Sequence, residues 1–320
     1  MTLSISAVVC TRNRPELVRG CLEALAGSPC RDLEVLIVDQ STDSAAAETA
    51  AVDRRIRYIH SATVGLSRAR NIGVQQSTGD AIAFTDDDCI PDAGWAAAIV
   101  KEFAENLDIS AIYGRSLPFE QSRRGERPVA IKADTERRVF SRRCNPWLLG
   151  HGNNMAFRRR VFDVVGPFDE ALGPGGLLRN CDDADFTYRM LKAGFKALYS
   201  PEPLVYHRQF RHGEDLWRLE RDYGIGAGAL YWKHLRCGDK YVLKLLLDRW
   251  GKAGAAHIIY GLLTAQPAHI RLGWYRVAYP ILGIWQARAV PIDVSRRVFL
   301  NPGPGGKSNE QSLCGHLYPQ

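Results

Sequence analysis

The stretch Gly65–Pro91, "GLSRARNIGVQQSTGDAIAFTDDDCIP", decides the fold. It opens with helical spacing, passes a Ser-Thr-Gly turn, and enters "DAIAFT", an apolar run of strand length. That strand ends in three successive carboxylates, Asp86, Asp87 and Asp88. One Asp makes a turn through its local hydrogen bonds, and a solvated turn is the plainer reading of the triplet alone. Three are costly, because like charges about 4 Å apart repel by ~1 kcal/mol in water and about 4 kcal/mol near a protein surface. An all-oxygen cluster after a strand fits a hard cation, Mg2+ or Mn2+, better than zinc.

Working outward, the same alternation continues. "SISAVVC" reads as a first strand and "RPELVRGCLEALAGS" as a helix with Leu17, Val18, Cys21, Leu22 and Leu25 at helical intervals. "LEVLIVDQS" and "IRYIH" are further strands. Strands alternating with helices predict an α/β fold, a Rossmann-like, mostly parallel sheet flanked by helices. From Ser116 to Pro146 the pattern breaks, and that basic, aperiodic stretch predicts a mobile surface loop over the site. Regular pattern resumes with a helix in "DDADFTYRMLKAG" and a strand in "KALYSPEPLVYH". "GIGAGA" at Gly224–Ala229 has dinucleotide-motif spacing but follows a charged helical pattern where that motif needs a strand, so close helix packing explains it better.

Charge divides the chain. Residues 1–206 carry 26 Lys and Arg against 27 Asp and Glu, whereas residues 207–320 carry 16 against 8. The excess of +7 therefore sits in the tail. No apolar run approaches the about 18 residues of a span, and "MTLSISAVVC" lacks the basic start of a signal peptide. The eight cysteines form no CxxC pair, which argues against a zinc ribbon and fits a reducing cytoplasm.

Four stations fall at strand ends or in the loops after them: "CTRNR", Asp39 in "LIVDQSTD", Arg68 and Arg70 in "GLSRARNIG", and the Asp triplet. In a doubly wound sheet these converge on one crevice. Together with "NNMAFRRRVFDVVGPFDEALG" and "CDDADFTYRMLKAG", they resemble the family 2 glycosyltransferases of GT-A fold, inverting enzymes that use nucleotide-sugar donors. The resemblance covers roughly Ile5 to His207.

The resemblance implies that Thr11 and Arg12 flank the nucleotide, that Asp39 accepts a hydrogen bond from the base, and that Arg70 helps hold the nucleotide or diphosphate. Asp86 and Asp88 correspond to the outer residues of the DxD motif, one toward the ribose and one toward the metal, with Asp87 between them counted as cofactor-binding. His207 matches a further metal ligand; as a lone histidine it is equally a surface or core residue. Asp183 matches the acceptor base, with Asp182 standing where Glu is usual. Asp182 and Asp185 are lesser candidates that also suit a helix N-terminus.

The expected organisation is a catalytic domain over residues 1–212, with a nucleotide part at about 1–115 and an acceptor part at about 145–212, then a basic helical extension over 213–320 with a disordered end from about 301. The expected partners are a nucleotide sugar and an unknown acceptor hydroxyl in polysaccharide, glycolipid or glycosylated-metabolite synthesis. A scaffold that binds nucleotide sugar without turnover, and a nucleotidyltransferase, are the alternatives. A hydride-transferring enzyme is disfavoured, because "CTRNR" lacks a glycine fingerprint. In residues 241–290, Trp250, Trp274 and Trp285 stand beside Tyr260, Tyr275 and Tyr279, interrupted by Pro267 and Pro280. Such a surface suits either a subdomain packed on the sheet or an anionic membrane carrying a lipid-linked acceptor, which would make the protein cytoplasmic and peripheral on the inner face. Nucleic acid is disfavoured, since no recognised motif accompanies the charge.

Overall fold

A computed structural model describes residues 3–300 apart from 43–44, 52 and 121–125. The end expected to be disordered from about 301 lies outside the described residues. In chain order the elements are β1 (Ile5–Thr11), α1 (Pro15–Ala26), β2 (Leu33–Asp39), α2 (Ala45–Ala50), β3 (Ile56–His60), α3 (Leu66–Gln76), β4 (Ala81–Asp86), β5 (Cys89–Pro91), α4 (Trp95–Glu105) and β6 (Ile109–Pro118). Then follow β7 (Arg127–Pro128), β8 (Arg138–Phe140), β9 (Asn154–Arg158), α5 (Arg160–Val165), α6 (Asp182–Lys192), β10 (Lys196–His207) and β11 (Phe210–Arg211). The remainder is α7 (Gly213–Arg236), α8 (Tyr241–Asp248), a π-helical turn (Arg249–Ala255), α9 (Ala256–Leu263), α10 (Pro267–Ala287) and the small hairpin β12 (Ile292–Asp293) and β13 (Val298–Phe299).

The central sheet has the order β3-β2-β1-β4-β9-β6-β10-β5, with β8 paired to β10. Strands β1 to β4 are mutually parallel, β9 runs against β4 and β6, and β10 is parallel to β6. The chain leaves β1 toward β2 and β3, then returns to β4 on the other side. This reversal opens a crevice beyond the carboxyl ends of β1 and β4. Register sets what lines it, since Thr11 stands level with Asp39 and Cys10 with Asp86.

Both faces of the central strands are covered, so β1, β2 and β4 are apolar along most of their length. Ile5, Ala7, Val9, Val35 and Ile37 face α1 and α4 through Val18, Leu22, Leu25, Trp95, Ile99 and Phe103. Val8, Leu36, Ile82 and Phe84 face the other way, Val8 and Leu36 toward α3 and the rest into α5 and α6. There Phe84, Phe157, Phe162, Phe168 and Phe186 form an aromatic knot, with Phe168 and Phe186 stacked at 4.4 Å. Pro15 begins α1 as expected, while Leu17 stays half-buried and Val18, Cys21, Leu22 and Leu25 carry the contact.

Two expectations are corrected here. Residues 116–146 are not a free loop among those described: Ser116 and Lys132 exchange backbone bonds, β7 pairs with β11, and β8 adds a strand beside β10. Short pairings to distant strands leave no period-2 pattern to read. In the tail, Pro280 does not interrupt a helix but lies inside α10. The α7 helix supports it, for a Cβ on Gly228 would sit 2.0 Å from the Pro280 carbonyl oxygen, and one on Gly283 would sit 2.1 Å from that of Ile225. Thus "GIGAGA" is a close-packing seam.

Candidate functional site

The crevice encloses about 370 Å3 at the carboxyl end of the sheet. Its walls include Thr11, Arg12, Arg14, Gln40, Arg70, Asp86, Asp87, Asp88, Asp182, Asp183 and His207. Strand β1 delivers Thr11, whose hydroxyl donates to Asp87 Oδ2 at 2.7 Å. Arg14 lies at the entrance to α1 and spans the triplet, 2.7 Å from Asp87 Oδ1 and 3.2 Å from Asp88 Oδ2. Burial pushes the Asp87 carboxyl up to about 7, against the pull of Arg14. Asp86, at the end of β4, is partly exposed, and burial raises its carboxyl too, with Arg70 opposing at 3.4 Å.

Asp88 faces His207, the last residue of β10, with Nε2 3.2 Å from Oδ1. The other ring nitrogen, Nδ1, meets the Val129 carbonyl at 2.9 Å. Burial alone would lower the His207 pKa, but Asp88 outweighs it and holds it above the ordinary value. Asp88 Oδ1 is buried without a well-directed hydrogen bond. A carboxylate and an imidazole nitrogen, with the second nitrogen tied to a carbonyl, form a donor pair that fits a divalent cation. Cys89 Sγ lies within 4.8 Å of the same atoms. Burial keeps its thiol protonated well above the ordinary value, so it is a poor ligand.

The opposite wall comes from the start of α6. Arg179 and Cys181, at φ 77° and 73°, hold left-handed backbone just before it. For non-glycine residues this is strained geometry of the sort that clusters at functional sites. Asp182 is buried and paired with Arg70, which also donates to the Gly152 carbonyl at 3.2 Å and lies 5.7 Å from the Phe168 ring centroid. Burial raises the Asp182 carboxyl to about 6, with Arg70 pulling it down and Asp183 pushing it up. Asp183 points into the crevice, half-exposed. Its Oδ2 accepts from Gly152 N at 2.8 Å and its Oδ1 from Ala184 N at 2.7 Å.

Two expected residues are not brought here. Asp39 is fully buried under the crevice, where Ser41 N donates to Oδ1 and Tyr58 OH donates to Oδ2, and Gln40 stands at the wall instead. Asp185 faces away into a buried cluster, 2.9 Å from Arg189, 2.8 Å from Lys233 and 2.9 Å from His234. Its first-turn position on α6 turns it inward. Lys233 also binds Asp169, so this cluster ties α7 to the catalytic half across the boundary expected at residue 212. Several wall residues carried no signal of their own: His151, Gln209, and Leu219 and Tyr223 from α7. Arg14 was legible within "CTRNR" as a basic residue after a strand.

Among known proteins, a family model described as Glycosyl transferase family 2 matches residues 6–166. The chain is 26% identical over 278 residues to glycosyltransferase AglE of Haloferax volcanii, covering 83% of each. It is 24% identical over 236 residues to the glucosyl-dolichyl phosphate glucuronosyltransferase of the same organism, covering 70% of this chain and 75% of the relative. In structure it is similar to a mannosyltransferase from Pyrobaculum calidifontis in complex with GDP-Man and Mn2+, with TM-score 0.61 and 17% identity over 89% of this chain and 88% of the other. S. aureus TarS 1-349 in complex with UDP-GlcNAc aligns with TM-score 0.52 and 17% identity, over 70% of this chain and 66% of that one. With its GT-A-type sheet and a family match across half its length, the chain belongs to glycosyl transferase family 2 and is a glycosyltransferase.

Proposed function

We propose that this glycosyltransferase moves a sugar from a nucleoside diphosphate donor to an acceptor hydroxyl with inversion, using a divalent cation. The observation that carries it is the opposition of two carboxylate groups across one crevice, Asp86 to Asp88 on one wall and Asp183 on the other. A solved neighbour in complex with GDP-Man and Mn2+ and another in complex with UDP-GlcNAc support the donor class.

Asp88 and His207, with Asp86 beside them, would hold Mg2+ or Mn2+, which supplies Lewis-acid neutralisation of the departing diphosphate. Thr11, Arg12 and Arg14 line the adjoining wall and meet the donor's polar groups, while Thr11 and Arg14 also fix Asp87. Arg70 engages Asp182, so Asp182 serves as a counter-charge and Asp183 is left to act as the base. Each Asp183 oxygen takes one backbone N–H and keeps a lone pair for the acceptor proton. Attack from that side, opposite the leaving diphosphate, gives a single inverting displacement. We assign a lipid-linked acceptor met at the cytoplasmic face of a membrane. The basic tail supports this, as does similarity to an enzyme named for a glucosyl-dolichyl phosphate.

A panel of nucleotides with Mn2+ in thermal unfolding identifies the donor base, because a ligand of the folded state raises stability. Proton NMR of the first-formed glycoside then reads the anomeric centre. Retention of the donor configuration would overturn the single-displacement mechanism.

A further inference from the structure

Away from the crevice, the hairpin of α9 and the start of α10 exposes apolar side chains that nothing in the described chain covers. From Ala253 to Ile270, 18 consecutive residues include no Asp, Glu, Lys or Arg. Such a stretch belongs in a core, yet at its tip Leu263 is 82% and Leu262 65% exposed, with Ile259, Tyr260 and Trp274 exposed nearby. The packing explains why these side chains point outward. A Cβ on Gly261 would lie 2.7 Å from Ile270 Cγ1, and one on Gly273 would lie 2.5 Å from Ile258 Cγ1, so the two helices close on glycine seams. The larger residues are not needed between them.

The charge along this segment is in positive excess, although Asp248 pairs with both Lys244 and Lys252. From Lys240 to Arg288 seven Lys and Arg accompany a single acid, Asp248, and Lys252 and Arg271 bound the uncharged stretch. Glu214 and Glu220 of α7 answer only Arg271 and Arg276. No helix among the described residues is long and apolar enough to cross a membrane, and the eight residues of α9 extend about 12 Å. An apolar tip above a basic collar is the pattern of an element lying in an anionic interface.

We propose that the α9–α10 hairpin inserts into the interface of an anionic bilayer and holds the crevice mouth over it. Only the second half rests on the glycosyltransferase reading above. Helices α7 and α10 run side by side in the same direction: Glu214 pairs with Arg271, Trp217 meets Tyr275 at 5.3 Å, and Gly224 abuts Tyr279. Leu219 and Tyr223, which wall the crevice, therefore lie level with the third turn of α10. That is about a dozen residues from the hairpin tip, or roughly 18 Å at the helical rise. Insertion to the about 5–10 Å typical of interfacial helices leaves the crevice open just above the headgroups.

The test uses the full chain and vesicles of phosphatidylglycerol with phosphatidylcholine, or of phosphatidylcholine alone, at low salt. We expect co-sedimentation with the anionic vesicles and weaker binding to the neutral ones. The double change Leu262→Glu with Leu263→Glu should cut vesicle partitioning at least about tenfold. Leu107→Glu, an exposed apolar residue after α4, should leave it unchanged. Nucleotide binding with Mn2+ should be equal in all three proteins. A wild-type chain that stays in the supernatant, or a double variant that binds as wild type does, overturns the proposal. So does a concentration-dependent dimer lost in the double variant without vesicle binding, which assigns the face to a second copy. Vesicle binding gained only after removal of residues 301–320 would assign it to the chain's own end, again against the proposal. Loss of nucleotide binding in every protein counts instead against the donor reading and leaves the vesicle result standing.

Discussion

Two buried acid clusters sit on either side of helix α6 and behave in opposite ways. Of the crevice acids Asp86, Asp87, Asp88, Asp182 and Asp183, the first four are paired with two arginines, Arg14 and Arg70, and one histidine, while Arg12 and Arg211 line the same wall. Acids outnumber their paired cations there, and burial lifts Asp87 to about 7 and Asp182 to about 6. Behind the helix, Asp169 and Asp185 meet Lys233 and Arg189, with His234 kept neutral by burial, its pKa lowered to about 4. Burial would raise Asp185 as well, but Lys233 and Arg189 outweigh it and hold its carboxyl far below the usual range. The difference teaches how to separate chemistry from scaffolding in this chain. We read the cluster short of positive charge as the ligand site and the balanced one as holding helices together.

The comparison breaks most sharply at turnover. Asp183→Asn should lower kcat by about 100- to 10,000-fold, the usual contribution of a positioned base, with donor affinity near wild type. Asp88→Ala should instead abolish Mn2+-dependent donor binding. Calorimetry with Mn2+ and initial rates together check this, and equal loss of nucleotide affinity in both variants sinks the division of roles.

Next in size is the balanced cluster. Lys233→Met leaves Asp169 and Asp185 buried without their shared cation and should cost about 3–5 kcal/mol in denaturant unfolding. Nucleotide affinity of the folded fraction should stay within about threefold. A stable variant that has lost nucleotide binding would show that the two clusters act as one.

The pH dependence should have opposite signs. A raised carboxyl means that the folded chain holds a proton the unfolded chain has released. Stability tied to Asp182 therefore falls as pH rises from its ordinary 3.8 to about 6, by up to about 3 kcal/mol. Asp185 is depressed, so its contribution is present above its ordinary value and is lost as acid is added. Unfolding free energies from about pH 4 to about pH 7 should flatten in Asp182→Asn, and parallel curves for wild type and variant would refute this.

The smallest effect concerns Asp39. Since Ser41 and Tyr58 occupy its oxygens, Asp39→Asn should cost about 1–2 kcal/mol of stability and change nucleotide affinity less than about threefold. A loss beyond about tenfold would restore its expected role at the base.

Sheet and core were legible because they follow local period. The apolar runs of β1, β2 and β4 and the helical spacing of Val18, Leu22 and Leu25 carry their own signal. Asp86, Asp87 and Asp88 were legible because charge at a strand end is conspicuous, whereas Asp182 and Asp183, at a helix start, were legible only through the family resemblance. Direction was not. Asp39 and Asp86 both end parallel strands, yet one turns under the sheet and the other to the crevice, as Tyr58 on β3 and Arg70 on α3 decide. Tyr223 and Lys233 could not be found either, because only the packing of α7 against α6 and α10 brings them into place.

That packing has a consequence during synthesis. Asp169 and Asp185 leave the ribosome before their shared cation, and the Phe299 amide that also donates to Asp169 comes later still. At about 5–20 residues per second, the 48 residues between Asp185 and Lys233 take roughly 2–10 s. Through that interval Asp185 has Arg189 but lacks Lys233, and Asp169 has no cation paired with it, so α6 has reason to remain loosely docked until α7 arrives. The last helices to be made would thus decide when the first two hundred residues become a catalyst.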